Sequence, residues 1–177
     1  MSITVSPPAN QPTLDLGIFR SMFGGFPSGV TVVTAASQDG IPVGLTVSAV
    51  MSVSLTPPLL AVCLQNAKYT LDVIQSQGLF AVNFLASHQA AVSANFAFGD
   101  HDKFAAVEWI SSECAGVPIL TDVRAHAECS VESVIPAGDH TLIIGRIVAG
   151  RVNEKVPLAY CSRQYLNLEA LLATPVH

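Results

Sequence analysis

The 177-residue sequence predicts a mainly β protein, an antiparallel barrel with a few short covering helices. Three observations predict it. Runs rich in valine, leucine, isoleucine and threonine recur along the chain, short enough for strands and bounded by glycine and proline. The turn signals Asp39-Gly40 and Pro136-Ala-Gly-Asp139 are those of hairpins, which join antiparallel neighbours. Stretches with a helical period are few and short, so helices can cover a barrel but cannot build an alternating α/β sheet. No Gly-x-Gly-x-x-Gly follows a strand and no Walker lysine motif occurs. A nucleotide would have to be held without those devices.

Taken in order, residues 1–12 are rich in proline and serine and read as a loose arm, with 13–177 as one domain. Thr13 is placed to cap a first helix reaching Phe23, in which Leu14, Ile18 and Met22 recur every four residues beside Phe19 and Phe23. Gly24-Gly25 ends it. Strands are predicted over 29–36, 43–55 and 59–65, the first two joined as a hairpin by Asp39-Gly40. Thr70 caps a short helix that stops at Gly78, and 79–85 reads as a buried strand. Ser87 caps a third helix through Phe96, followed by a polar-aromatic loop over 98–105. Short pieces follow Trp109, with a turn at Gly116-Val-Pro118. A long hairpin is predicted from 125–135 and 140–152, then a last strand over 156–160 and a tail or helix over 166–172.

Half the residues are apolar and 12% are charged, with a mean hydropathy of +0.49. Either the core is large or much surface is buried against a second subunit, and a homodimer is expected. A net charge of −5 argues against a nucleic-acid partner, which requires a basic patch. The first twelve residues lack the positive charge and apolar run of a signal peptide, and no stretch reaches the ~20 apolar residues of a membrane helix. A cytoplasmic protein is expected, without a membrane partner. Cys63, Cys114, Cys129 and Cys161 form no CxxC pair, and the five histidines show no metal-ligand spacing, so no metal is expected.

The most informative stretch runs from Gly44 to Cys63. Thr46, Ser48, Ser52 and Ser54 fall on one face of a strand unless a bulge intervenes, with valine, alanine and leucine between them. Such a row of small hydroxyls suits a flat, polar-edged ligand lying against the backbone. It equally describes solvated positions on an edge strand.

This stretch resembles the pattern Gly-x-Thr-x-Ser-(Ala/Ser)-x-x-Ser-Val-Ser-x-x-Pro-Pro-Leu of the short-chain flavin reductases. These are the reductase components of two-component flavin monooxygenases, with the FMN-binding split-barrel fold. Further segments resemble the same family in the same order: Phe26-Pro-Ser-Gly-Val-Thr-Val-Val-Thr34, Phe80-Ala-Val-Asn-Phe84, Asp102-Lys103-Phe104, Gly138-Asp139-His140 and Pro157-Leu158-Ala-Tyr160 with Arg163 and Tyr165. The likeness covers about Thr13 to Leu168.

The resemblance implies an antiparallel split barrel that takes a hydride from NADH, with NADPH as the alternative, onto FAD or FMN. Free reduced flavin would then pass to a flavin-dependent monooxygenase component. Thr46, Val47, Ser48, Ala49, Ser52, Val53 and Ser54 would line the flavin, with Cys63 and Leu64 at the end of the next strand. The segment Asn66 to Thr70 would face the phosphate, with Lys68 supplying charge and Thr70 standing at a helix N-terminus. The family commonly carries serine where Lys68 or Tyr69 stands, and Lys68 could instead be a solvated surface residue. Asn83 needs partners inside an apolar strand, which either a flavin or the backbone could supply. Lys103 and Phe104 would fold over the ligand or pair across their own loop. His140 is the implied catalytic residue, near flavin and nicotinamide, with Arg163 and Tyr165 as further dinucleotide contacts. Two other readings share the fold: a non-catalytic flavin- or haem-binding protein, and a pyridoxamine-phosphate-oxidase-like enzyme, whose phosphate-binding arginines have no counterpart here.

Overall fold

A computed structural model describes residues 13–98 and 102–169. The proposed arm over 1–12 lies outside them, as does the end of the 166–172 tail. In chain order the elements begin with α1 (Leu16–Gly24), β1 (Ser28–Gly29), β2 (Thr31–Ala36), β3 (Pro42–Val47), β4 (Val50–Ser54) and β5 (Leu59–Gln65). There follow α2 (Tyr69–Gln77), β6 (Leu79–Phe84), α3 (Ala90–Ala97), β7 (Trp109–Ser111) and β8 (Pro118–Leu120). The chain closes with β9 (Ala125–Ala137), β10 (His140–Val152), β11 (Ala159–Cys161) and β12 (Gln164–Leu166).

The main sheet has seven antiparallel strands in the order β3-β2-β6-β9-β10-β5-β4. Its two edge strands, β3 and β4, are consecutive in the chain and separated only by Ser48-Ala49. The three Cα–Cα steps from Val47 to Val50 span at most about 11 Å, so the sheet must curl until its edges come close. That is a barrel, split where β3 and β4 part. Its interior is one cluster: Val33, Val47, Leu60, Val62, Leu64, Phe80, Val82 and Ile143, with Leu71, Val73 and Ile74 of α2 packed onto it. A second cluster on the other side of β2 joins Val32, Leu85, Phe96, Phe104, Leu120 and Leu158 under α3.

The predicted strand over 43–55 is therefore two strands on opposite edges of the sheet. The row of hydroxyls is broken at Ser48-Ala49, and a register shift between Ser52 and Ser54 breaks it again. The first helix starts later than predicted. Asp15 is its cap, accepting from the Gly17 and Ile18 amides, and no residue of the helix is buried, so its apolar stripe covers no core here. Lys68, not Thr70, is the N-cap of α2, and Thr70 is buried in its first turn. Gln89 stands at the N-cap of α3, while the Ser87 hydroxyl donates to Glu169 instead. The last predicted strand lies a few residues further on, where β11 pairs with β1 and β12 in a separate three-stranded sheet.

The long hairpin forms as predicted and extends to Ala137. Its turn passes through Gly138 at φ 67, a left-handed backbone that glycine adopts without strain. This turn places Asp139 and His140 at the mouth of the barrel.

Candidate functional site

A cleft of about 950 Å³ opens along the free edge of β3. That volume is in the range of cofactor sites. β3 pairs with β2 on one side only, so alternate backbone N–H and C=O groups over 42–47 face the cleft rather than another strand. Gly44 lets α3 close over the cleft wall. A Cβ there would stand 3.0 Å from the Phe96 ring and 3.2 Å from the Thr34 methyl. Thr46 spends its hydroxyl holding this wall, donating to the Ser93 carbonyl of α3 at 2.7 Å. Ser48 and Ala49 are exposed in the crossover, where the Ala49 carbonyl accepts from the Cys63 amide at 3.0 Å.

The opposite wall is the start of α2. Ala67, Lys68, Tyr69 and Thr70 line the cleft, and no side chain caps this helix. The Leu71 amide already bonds the Lys68 carbonyl at 2.8 Å, which leaves the Tyr69 and Thr70 amides as the first-turn donors for an anion. Asn66 fastens this loop to the β9–β10 turn. Its amide nitrogen donates to the Gly138 carbonyl at 3.2 Å, its backbone N–H to the Asp139 carbonyl at 2.9 Å, and its side-chain oxygen accepts from Thr141 at 2.8 Å. His140 is thereby fixed beside the helix start. Its Nδ1 meets Asp139 Oδ1 at 2.7 Å, and the hydrogen bond to the imidazole holds the Asp139 carboxyl below its ordinary value. With Nδ1 so engaged, Nε2 remains for a ligand.

The third wall is the Asp102-Lys103-Phe104 turn. Asp102 accepts from the Phe104 and Ala105 amides, and Lys103 donates to the Phe96 carbonyl at 2.9 Å, tying the turn to the end of α3. Phe104 is buried edge-on against Phe96 and Trp109, so it supports the wall more than it covers the cleft.

Of the residues singled out in the sequence, Thr46, Val47, Ser48, Ala49, Cys63, Lys68, Thr70, Lys103, Phe104 and His140 line this cleft. Ser52, Val53 and Ser54 do not, because they follow the crossover onto the far edge of the sheet. Leu64 alternates with Cys63 and points into the barrel core. Asn83 is fully buried, and its amide is spent inside the protein: it donates to the Val32 carbonyl and the Thr34 hydroxyl and accepts from the Leu120 amide. Arg163 sits in a tight left-handed turn between β11 and β12, and Tyr165 packs on Tyr160 across that hairpin. Of the segment Asn66 to Thr70, residues Ala67 to Thr70 line the cleft, while Asn66 and Asp139 stand behind the lining and act through their hydrogen bonds to the turn and to His140.

One cleft thus joins an edge strand, a helix start without a side-chain cap and the His140 imidazole. Residues 23–169 match the flavin reductase like domain family. Over 155 residues the chain is 45% identical to a flavin reductase (NADH) of Kitasatospora aureofaciens, covering 86% of this chain and 81% of that one. It is 39% identical over 152 residues to the reductase subunit HsaB of a flavin-dependent monooxygenase of Rhodococcus jostii, covering 85% and 77%. Among solved structures, the NADH:FAD oxidoreductase SgcE6 of Streptomyces globisporus, in complex with NAD and FAD fragments, superposes with a TM-score of 0.82 at 30% identity, covering 86% of this chain and 92% of that one. The chain belongs to the flavin reductase like family, and its fold is that family's antiparallel split barrel.

Proposed function

We propose that this protein is an NADH-dependent flavin reductase that reduces FAD or FMN and supplies the free reduced flavin to a partner monooxygenase component. The observation that carries the reading is the cleft itself. It joins the free backbone edge of β3, the uncapped start of α2 and the Asp139-braced His140 in one cavity of about 950 Å³. The relatives point the same way: two are named for NADH, and another is the reductase subunit of a monooxygenase.

A bound flavin supplies a ring position that accepts the hydride leaving the nicotinamide. The protein's contribution is orientation. The backbone of Thr46 to Ala49 holds the ring edge. The Tyr69 and Thr70 amides take the phosphate, with Lys68 adding charge. Asp139 keeps the His140 Nδ1 occupied, so that Nε2 meets the nicotinamide dinucleotide. Cys63 lines the same cleft. The openness of the cleft suits a flavin that enters and leaves at each turnover.

The reading includes a cytoplasmic location and a homodimer, and the apolar residues exposed on α1 and β4, such as Ile18, Met22, Met51 and Val53, support the dimer. The test of the function is NADH oxidation by the purified protein with and without added flavin. Oxidation that saturates with free flavin is expected; flavin binding without oxidation would replace the reading with a non-catalytic flavin carrier.

A further inference from the structure

Tyr69 is the most exposed aromatic residue at the cleft, 65% accessible, and it lines the cleft as the first residue of α2. The sequence has three tyrosines. Tyr160 and Tyr165 pack on one another with ring centroids 5.3 Å apart. Tyr69 has no ring partner among the described residues. A large apolar face held in water at a cavity wall loses nothing by being covered, and every nucleobase offers a matching π-face. Its place in the helix says which base can reach it. The residue at this position stands at the Tyr69 and Thr70 amides, so with the flavin phosphate at the start of α2 whatever is attached beyond it would emerge beside the ring.

We propose that Tyr69 is a stacking platform for the adenine of a dinucleotide flavin, and that it makes the site select FAD over FMN. The inference rests on the flavin reductase reading, in which the flavin phosphate occupies the start of α2. The two flavins share the ring, the ribityl chain and the first phosphate, and differ only in the adenylate. Contacts over 46–49 and at the α2 amides therefore serve both alike. A contact on the adenine serves one. The adenylate of NADH has the same chemistry, and the proposal commits to that of the flavin.

The test is equilibrium binding of oxidised FAD and of FMN, followed by flavin fluorescence without NADH, for the wild type, Tyr69→Ala and Tyr69→Phe. Because Tyr69 is exposed, both variants should melt with the wild type. Tyr69→Ala should raise the Kd for FAD about 5- to 10-fold and leave that for FMN within about twofold, while Tyr69→Phe keeps FAD affinity. Equal loss for both flavins, or no loss for either, overturns the proposal and leaves the reductase reading standing. A selective rise in the KM for NADH at saturating FMN would also overturn it, by giving the ring to the other adenylate. Failure of the wild type to bind either flavin would instead overturn the reductase reading itself.

Discussion

Replacing Asn83 by alanine should unfold this protein more easily without weakening its hold on flavin. The side chain ties three elements together: its amide nitrogen reaches the Val32 carbonyl at 3.1 Å and the Thr34 hydroxyl at 3.0 Å, and its oxygen accepts from the Leu120 amide at 2.9 Å. Truncation leaves the Leu120 N–H buried without its acceptor, which costs about 1–2 kcal/mol, and removes two further bonds at about 0.5–1 kcal/mol each. The sum is about 3 kcal/mol. For a chain of this length that lowers Tm by about 6–12 °C. Thermal melting followed by circular dichroism, with flavin Kd measured at 25 °C on the same sample, separates the two roles. An unchanged Tm with flavin affinity down tenfold would refute the reasoning and put Asn83 in the cofactor site.

Three further outcomes follow from the cleft. His140→Ala should raise the KM for NADH about tenfold and that for flavin much less, read from steady-state kinetics with each substrate varied; the reverse pattern would remove His140 from the nicotinamide side. Ser48→Tyr puts a ring into the exposed crossover and should raise flavin Kd at least tenfold with Tm unchanged; unaltered affinity would displace the flavin from that wall. Thiol labelling at pH 8, mapped by mass spectrometry, should modify exposed Cys114 quickly and Cys63 only when flavin is absent. Cys129 should not react in the folded protein, because burial, with Glu128 beside it, pushes its thiol up to about 12; rapid labelling of Cys129 would contradict the core packing.

What could be read in advance was whatever a few neighbouring residues decide. Asp39-Gly40 and Gly138-Asp139 announce hairpins because their backbone geometry is local, and both form. Gly78 ends α2 in a left-handed conformation for the same reason. The stripe of α1 also gave the helix correctly, but periodicity says nothing of what covers a face. Asn83 shows the limit from the other side: the need of a buried amide for partners is plain in the chain, while the partner, Leu120, is 37 residues away.

The crossover at Ser48-Ala49 is the clearest case, and it matters most for function. From Val43 to Ser54 the run holds no proline and no turn pair, so no strong local signal interrupts it. The interruption comes from closure. A strand that leaves β2 at one edge must reach β5 at the other, and no single straight strand can pair with both. Parting there leaves β3 and β4 on separate edges, so the outer edge of β3 has no strand partner. The same constraint that splits the barrel therefore creates the backbone edge facing the cleft. This also accounts for the division among the predicted site residues. Thr46 to Ala49 lie before and at the parting and line the cleft, whereas Ser52 to Ser54 lie beyond it and do not. Only half of the hydroxyl row reaches the cleft, and there the wall is an unpaired strand edge, to which Thr46 fastens α3 with its hydroxyl.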